Sequence, residues 1–418
     1  MKRLSAVLLT IVLLAAAACA QPAERADAQP LFKQIDEILA DLTEITGLKP
    51  LRAVPHDLID RQQVKQFLEQ RIKDEIKPEE LRAEELTLKK FGLVPRDFDL
   101  QKTTVELLTE QAAAFYDYRK RKLYVLDSHS SAVQQAALVH ELAHALADQH
   151  FSLAKYVERD KESDDGSMAR VAVMEGQATW LMSEYLARRM GMSLKTSPSI
   201  VRFMSQQAGS MAGQFPVFDK APLYIRETLL FPYTQGMSFQ HAVFEREGID
   251  SFAAVFRRPP ASTQQILHPE KYLAGDKPAE PVLPALAVPG EYRVLTGGSL
   301  GELDHSILLR QYVGQKEAES VAPRWRGGSY RLYEHKKDRR AVLVFASEWE
   351  SAAAAREFFG LYRRILAGKW ATLEVSAEGD ASLAGRGDDG YFILRLDGPR
   401  MTGMEGMRSP ADERQPLR

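Results

Sequence analysis

The stretch LVHELAHALADQH, Leu138 to His150, sets two histidines and a glutamate into an otherwise apolar, alanine-rich run. Leu138, Val139, Leu142, Ala143, Ala145 and Leu146 make a helix here apolar nearly all round, so it is read as buried. At about 100° per residue, His140 and His144 fall one turn apart and within about 40° of each other. Their imidazoles leave one face at a separation that suits a single metal ion. Glu141 is their neighbour, too close along the chain to share that ion but placed to touch water beside it. Buried imidazoles and a buried carboxylate need partners, and a metal supplies them. The pattern predicts Zn²⁺ on His140 and His144, with Glu141 as general base.

A catalytic zinc site needs a third protein ligand and one open position. His150 follows His140 by ten residues, the spacing at which HExxHxxGxxH enzymes place a third histidine. Those enzymes break the helix with a glycine where this chain has Ala147. On an unbroken helix His150 lies about 240° round from His144, facing away from the metal. The competing ligand is Glu175, in VAVMEGQATWL (171–181), a lone carboxylate among Val173, Met174 and Trp180. The small residues Gly176 and Ala178 are expected to let this second helix pack closely on the first.

The chain has 418 residues, enough for one large or two ordinary domains. Its 55 basic and 57 acidic side chains nearly cancel, so nothing global points to nucleic acid. MKRLSAVLLTIVLLAAAAC (1–19) has Lys2 and Arg3, an apolar core from Ala6 to Leu14, then small residues. It reads as a secretory signal, too short to span a bilayer. Cys19, the one cysteine, ends an AAAC resembling a lipobox with Ala16 where leucine is usual; ordinary cleavage after Ala18 or Ala20 is the alternative. The protein is expected outside the cytoplasm, as an envelope lipoprotein anchored at Cys19 or as a secreted or periplasmic protein. Without a cysteine pair it has no disulfide.

The expected class is α+β: a mainly helical zinc-site domain with a small edge sheet (31–275), then a small α+β domain (293–400). LFKQIDEILADLTEIT and VKQFLEQRIKDEI have helical spacing within 31–96. AAFYDYRKRKLYVLD (113–127) reads as a hairpin. Asp164, Asp165 and Ser167 are starters for a helix over 168–189, with more helix to about 257. Pro278, Pro281, Pro284 and Pro289 mark 276–292 as a linker. Residues 401–418 are expected to be a disordered tail.

HELAHAL followed by EGQA resembles the HExxH-plus-Glu pattern of gluzincins, the thermolysin-like zinc metallopeptidases. With FYDYRKRKLYVLD, HELAHALADQHF, MEGQATW, FPYTQGMSF and PPASTQQILHPEKY, the chain over about 100–275 is similar to bacterial secreted or lipoprotein metallopeptidases of that class. The resemblance implies a zincin-like fold, His140, His144 and Glu175 as zinc ligands, Glu141 as base, and a peptide or protein substrate. Many gluzincins carry an aspartate four residues after the ligand glutamate, where this chain has Thr179. Asp148 is the candidate to support a histidine instead.

An oxyanion in such a reaction needs a donor from another element. Tyr233, His241 and His268 are the candidates, with Tyr233 between Pro232 and Gly236 in a loop-like setting. Phe115, Tyr116 and Tyr118 fit either an edge strand that aligns an extended substrate or a plain core hairpin. Two other functions stay open: an envelope lipoprotein with a structural zinc whose C-terminal domain binds a partner, and a zinc hydrolase of a non-peptide amide.

Overall fold

The computed structural model describes residues 29–127, 131–158, 163–197, 201, 215–287 and 289–409. The expected leader, with Cys19, and the chain beyond 409 lie outside them. Among the described residues no helix is long and apolar enough to cross a membrane.

The N-terminal part opens with α1 (Ile35–Thr46), β1 (His56–Ile59), α2 (Arg61–Glu75), α3 (Pro78–Phe91) and α4 (Leu100–Gln111). In α1, Ile35, Ile38, Leu39, Leu42 and Ile45 form the buried stripe, and Gly47 ends the helix in the left-handed conformation. Asp60 and Gln63 start α2 with a reciprocal capping box. The hairpin is present as β2 (Ala114–Asp117) and β3 (Lys122–Leu126), paired antiparallel. β1, within a stretch whose spacing reads as helical, pairs parallel to β3, giving the order β1-β3-β2. Beyond the hairpin come α5 (Ser131–Phe151), α6 (Asp164–Arg189) and α7 (Leu223–Glu247). Ser163 caps α6 by accepting from the Gly166 amide, one residue before the acids expected to start it.

The C-terminal part contains β4 (Tyr292–Gly298), α8 (Glu302–Tyr312), β5 (Trp325–His335), β6 (Ala341–Trp349) and α9 (Ala352–Lys369). It continues with β7 (Leu373–Gly379), β8 (Ser382–Gly387), β9 (Gly390–Asp397) and β10 (Arg400–Met407). These strands make one antiparallel sheet, ordered β4-β5-β6-β10-β9-β8-β7. α9 buries Phe358, Tyr362, Ile365 and Leu366. The fold is α+β.

Two boundaries differ from those read in the sequence. Residues 401–407 are not tail but most of β10, near the middle of the sheet between β6 and β9. RMTGMEGM looks unlike a strand because its odd residues answer long-range neighbours. A Cβ on Gly403 would strike the Phe345 ring, and buried Glu405 takes Lys369 Nζ at 2.6 Å and the Tyr362 hydroxyl at 2.8 Å. Nor is 276–292 a free linker. Its Ala279 amide bonds the Arg326 carbonyl at 2.7 Å, and Leu283 and Leu286 pack on Val342, Val344, Met404 and Met407.

One apolar core runs from Ile38 and Leu42 of α1 through α5 and α6 to Phe358 and Leu394. The two parts also share a buried polar seam at the start of α6. Tyr330 donates to Asp164 at 2.6 Å, Tyr224 to Asp304 at 3.1 Å, and the Thr263 amide and hydroxyl to Asp165 at 3.0 and 2.5 Å. Burial pushes the Asp165 carboxyl up to about 8; the Thr263 hydroxyl opposes this, and Asp304 and Glu302 add to it. A carboxyl raised in the folded chain stabilises it below the ordinary aspartate value, and that stability is lost as pH rises towards the raised one. Asp165→Asn keeps the acceptor without the charge. Its melting temperature is expected to gain on wild type from pH 5.5 to 7.5, by about 1.4 kcal/mol per pH unit in stability. Parallel pH curves would sink the assignment.

Candidate metal centre

α5 is helical without interruption from Ser131 to Phe151, so His140 and His144 do leave one face, their ring centroids 4.7 Å apart. α6 crosses that face and brings Glu175 to them. His140 Nε2 lies 3.0 Å from His144 Nε2 and 3.1 Å from Glu175 Oε2, and His144 Nε2 lies 3.3 Å from the same oxygen. All three side chains are buried and can hold a metal ion together. Nitrogen and oxygen ligands about 2.0–2.1 Å from a tetrahedral zinc stand roughly 3.3 Å from each other, so this triangle fits three corners of such a site.

The electrostatics suit a cation. Burial acts against charge on Glu175, but His144 and the hydrogen bonds from both imidazoles outweigh it and hold the carboxyl down at about 2. Burial pushes His140 down to about 4, with the Glu175 hydrogen bond opposing, so its ring is neutral and able to coordinate. Glu141 is raised to about 8, first by burial, with His144 and a backbone bond from Tyr116 opposing. Its Oε1 is buried without a hydrogen-bond partner. That unpartnered oxygen stands beside the three converging side chains, where a bound cation would lower the carboxyl again and free it to receive a proton.

The competing third ligand does not reach the group. His150 Nε2 lies 2.9 Å from the Lys49 carbonyl, on the side of α5 that its helical angle predicted. Asp148 makes no hydrogen bond to either histidine. Its oxygens take the Tyr116 hydroxyl at 3.0 Å, Arg52 at 3.4 Å and the Leu153 amide at 2.9 Å, so it ties α5 to β2 and ends the helix. Thr179 Oγ1 is buried with no partner and orients nothing.

One of the two small residues, Gly176, acts elsewhere than expected. Gly176 faces α7, where a Cβ would lie 2.1 Å from the Gly236 carbonyl carbon; a Cβ on Gly236 would meet the Ala172 carbonyl oxygen at the same distance. Backbone contact between α6 and α7 thus sets where Glu175 stands. This also corrects the loop-like setting read for Tyr233. Pro232, Tyr233 and Gly236 lie inside α7, where the glycine serves close approach rather than a turn. Tyr233 is buried with its ring centroid 6.1 Å from that of His140.

His268 stands apart, its polar contacts being with Glu302 at 2.8 Å and Glu270 at 3.7 Å. His241 Nδ1 accepts from Trp180 Nε1 at 3.2 Å and belongs to the α6–α7 packing. Tyr116, read in the sequence as an aromatic of either an edge strand or a plain core hairpin, makes two contacts on α5, its amide with Glu141 of the site and its hydroxyl with Asp148 outside it. Nothing local in the sequence marks that double contact.

The family DUF8575, a domain of unknown function, matches residues 292–414, which begin with β4 and leave out His140, His144 and Glu175. No curated protein and no solved structure matches the chain.

Proposed function

We propose that the protein is a zinc-dependent peptidase of the gluzincin type, acting on peptides or proteins outside the cytoplasm. The observation that carries this reading is the buried, unpartnered Oε1 of Glu141 beside the converging His140, His144 and Glu175. A structural zinc site needs a closed fourth ligand and has no use for such a carboxylate. The continuous core shared with the C-terminal part likewise speaks against a detachable partner-binding module.

When bound, zinc supplies Lewis acidity that lowers the pKa of water and polarises a carbonyl. His140, His144 and Glu175 hold it. Glu141 Oε1 receives the proton of the attacking water and returns it to the leaving amine. Tyr233, beside His140, is the donor assigned to the developing oxyanion. His268 is spent on Glu302 at the seam and takes no part. The fold-independent signal for the location is the leader-like N-terminus with its lipobox-like AAAC.

The test is degradation of casein by zinc-loaded protein. Glu141→Gln is expected to lower the rate by about 10²–10⁴-fold with zinc content unchanged. Full zinc loading with no hydrolysis of any unfolded protein would overturn the reading. Release of an amide from cell-wall material alone would favour the non-peptide alternative.

A further inference from the structure

The centre is sealed. His140, Glu141, His144 and Glu175 are 1, 1, 6 and 4 % exposed, so no peptide reaches them in this conformation. α7 is built unlike a uniform strut. Pro232 lies inside it, lacks the N–H that would bond the Thr228 carbonyl, and crowds that turn. On the C-terminal side the helix is bolted to α6. Gly236 meets Gly176 and Ala172 backbone to backbone, Gln177 donates to Gln240 at 3.2 Å, and His241 accepts from Trp180.

On the N-terminal side residues 223–230 are half-buried apart from Tyr224. Two side-chain pairs tie this half to α8: Tyr224 to Asp304 at 3.1 Å and Glu227 to Arg310 at 2.6 Å. Leu229 rests on the cluster formed by Phe115, Leu126 and Leu108, and so reaches β2, the strand whose Tyr116 contacts Glu141, while Ile225, Leu229 and Leu230 also pack on Leu107 and Phe218. The same half therefore bridges from the C-terminal part to the strand beside the base, while Tyr233, the first residue past the proline, sits against His140.

We infer that residues 223–231 are a lid hinged at Pro232. It opens by lifting Leu229 off the Phe115 cluster, and Ile225 and Leu230 off Leu107 and Phe218, which parts α7 from β2; its tethers make the C-terminal part its anchor. Passage of a peptide beneath the lid rests on the peptidase reading; access of solutes to the centre does not.

Full-length chain carrying Cys19→Ser, Glu227→Cys and Arg310→Cys, bridged by a short reducible thiol cross-linker, tests this. The chain's one native cysteine is removed, so the bridge forms only at the tether. The readout is zinc release to a chelator, followed beside casein hydrolysis. The bridge is expected to slow release, and reduction to restore it. Tyr224→Phe removes a hydrogen bond to a carboxylate and is expected to speed release about tenfold. In wild type, amides of 224–231 are expected to exchange with deuterium faster than those of 237–247, a measurement that needs no variant to fold. Equal release with and without the bridge, or equal exchange in both halves, overturns the lid. Release that answers to the bridge without any hydrolysis keeps the lid and removes the peptidase.

Discussion

Glu175→Ala is expected to leave the purified protein nearly free of zinc. Among the described residues, only His140, His144 and Glu175 form a cluster able to hold a metal, and Glu175 is its anion. Loss of a residue that merely supports a ligand weakens metal binding by about 10–100-fold, so loss of the ligand itself should exceed about 100-fold. His150→Ala is the matched control, because its ring is engaged with the Lys49 carbonyl and not with the cluster. Metal analysis of both variants after equilibration with a weak chelator decides the subclass. Zinc lost from His150→Ala and kept by Glu175→Ala would refute the ligand set. The fold should survive Glu175→Ala, since the apolar core of α5 and α6 is untouched.

The second large effect is on packing. Gly176→Ala places a Cβ 2.1 Å from the backbone of Gly236, and no flexible side chain can give way. The helices must part, at a cost of about 3 kcal/mol or more. Since Gly176 adjoins Glu175, zinc affinity should fall along with the melting temperature. Gly360→Ala is the opposite case. Gly360 is exposed in α9 with nothing within 4 Å of its added Cβ, so helix propensity alone should stabilise it by about 0.5–1 kcal/mol. Calorimetry of the pair checks both signs. A harmless Gly176→Ala would mean that the close crossing of α6 and α7 does not exist.

The two glycines and the proline of this region show why part of the site was hidden. Pro232 and Gly236 are the residues that usually mark a loop, and from the chain alone Tyr233 reads as one of its members. Inside a packed helix the same residues do other things: the proline loosens a turn and the glycine admits a neighbouring backbone. Which meaning applies depends on whether α6 is there. RMTGMEGM is the same problem in a strand, where Gly403 and Glu405 make sense only beside Phe345, Lys369 and Tyr362. Asp148 lies one turn past His144 and looked free to support it, but the Tyr116 hydroxyl, Arg52 and the Leu153 amide had the stronger claim on its oxygens.

What the chain settled unaided is whatever lies within a turn or two of one element. An α-helix holds residues four apart on one face, so His140 and His144 had to share a direction, Glu141 had to stand beside them, and His150 had to point away. The alternation and turn residues of 113–127 likewise sufficed for a hairpin. The distances from Glu175 to the two imidazoles, the closure over Glu141 and the seam with the C-terminal part came only from tertiary structure. They depend on how helices far apart in sequence cross, and that is set by the shapes of both surfaces at once, which no local pattern of residues encodes.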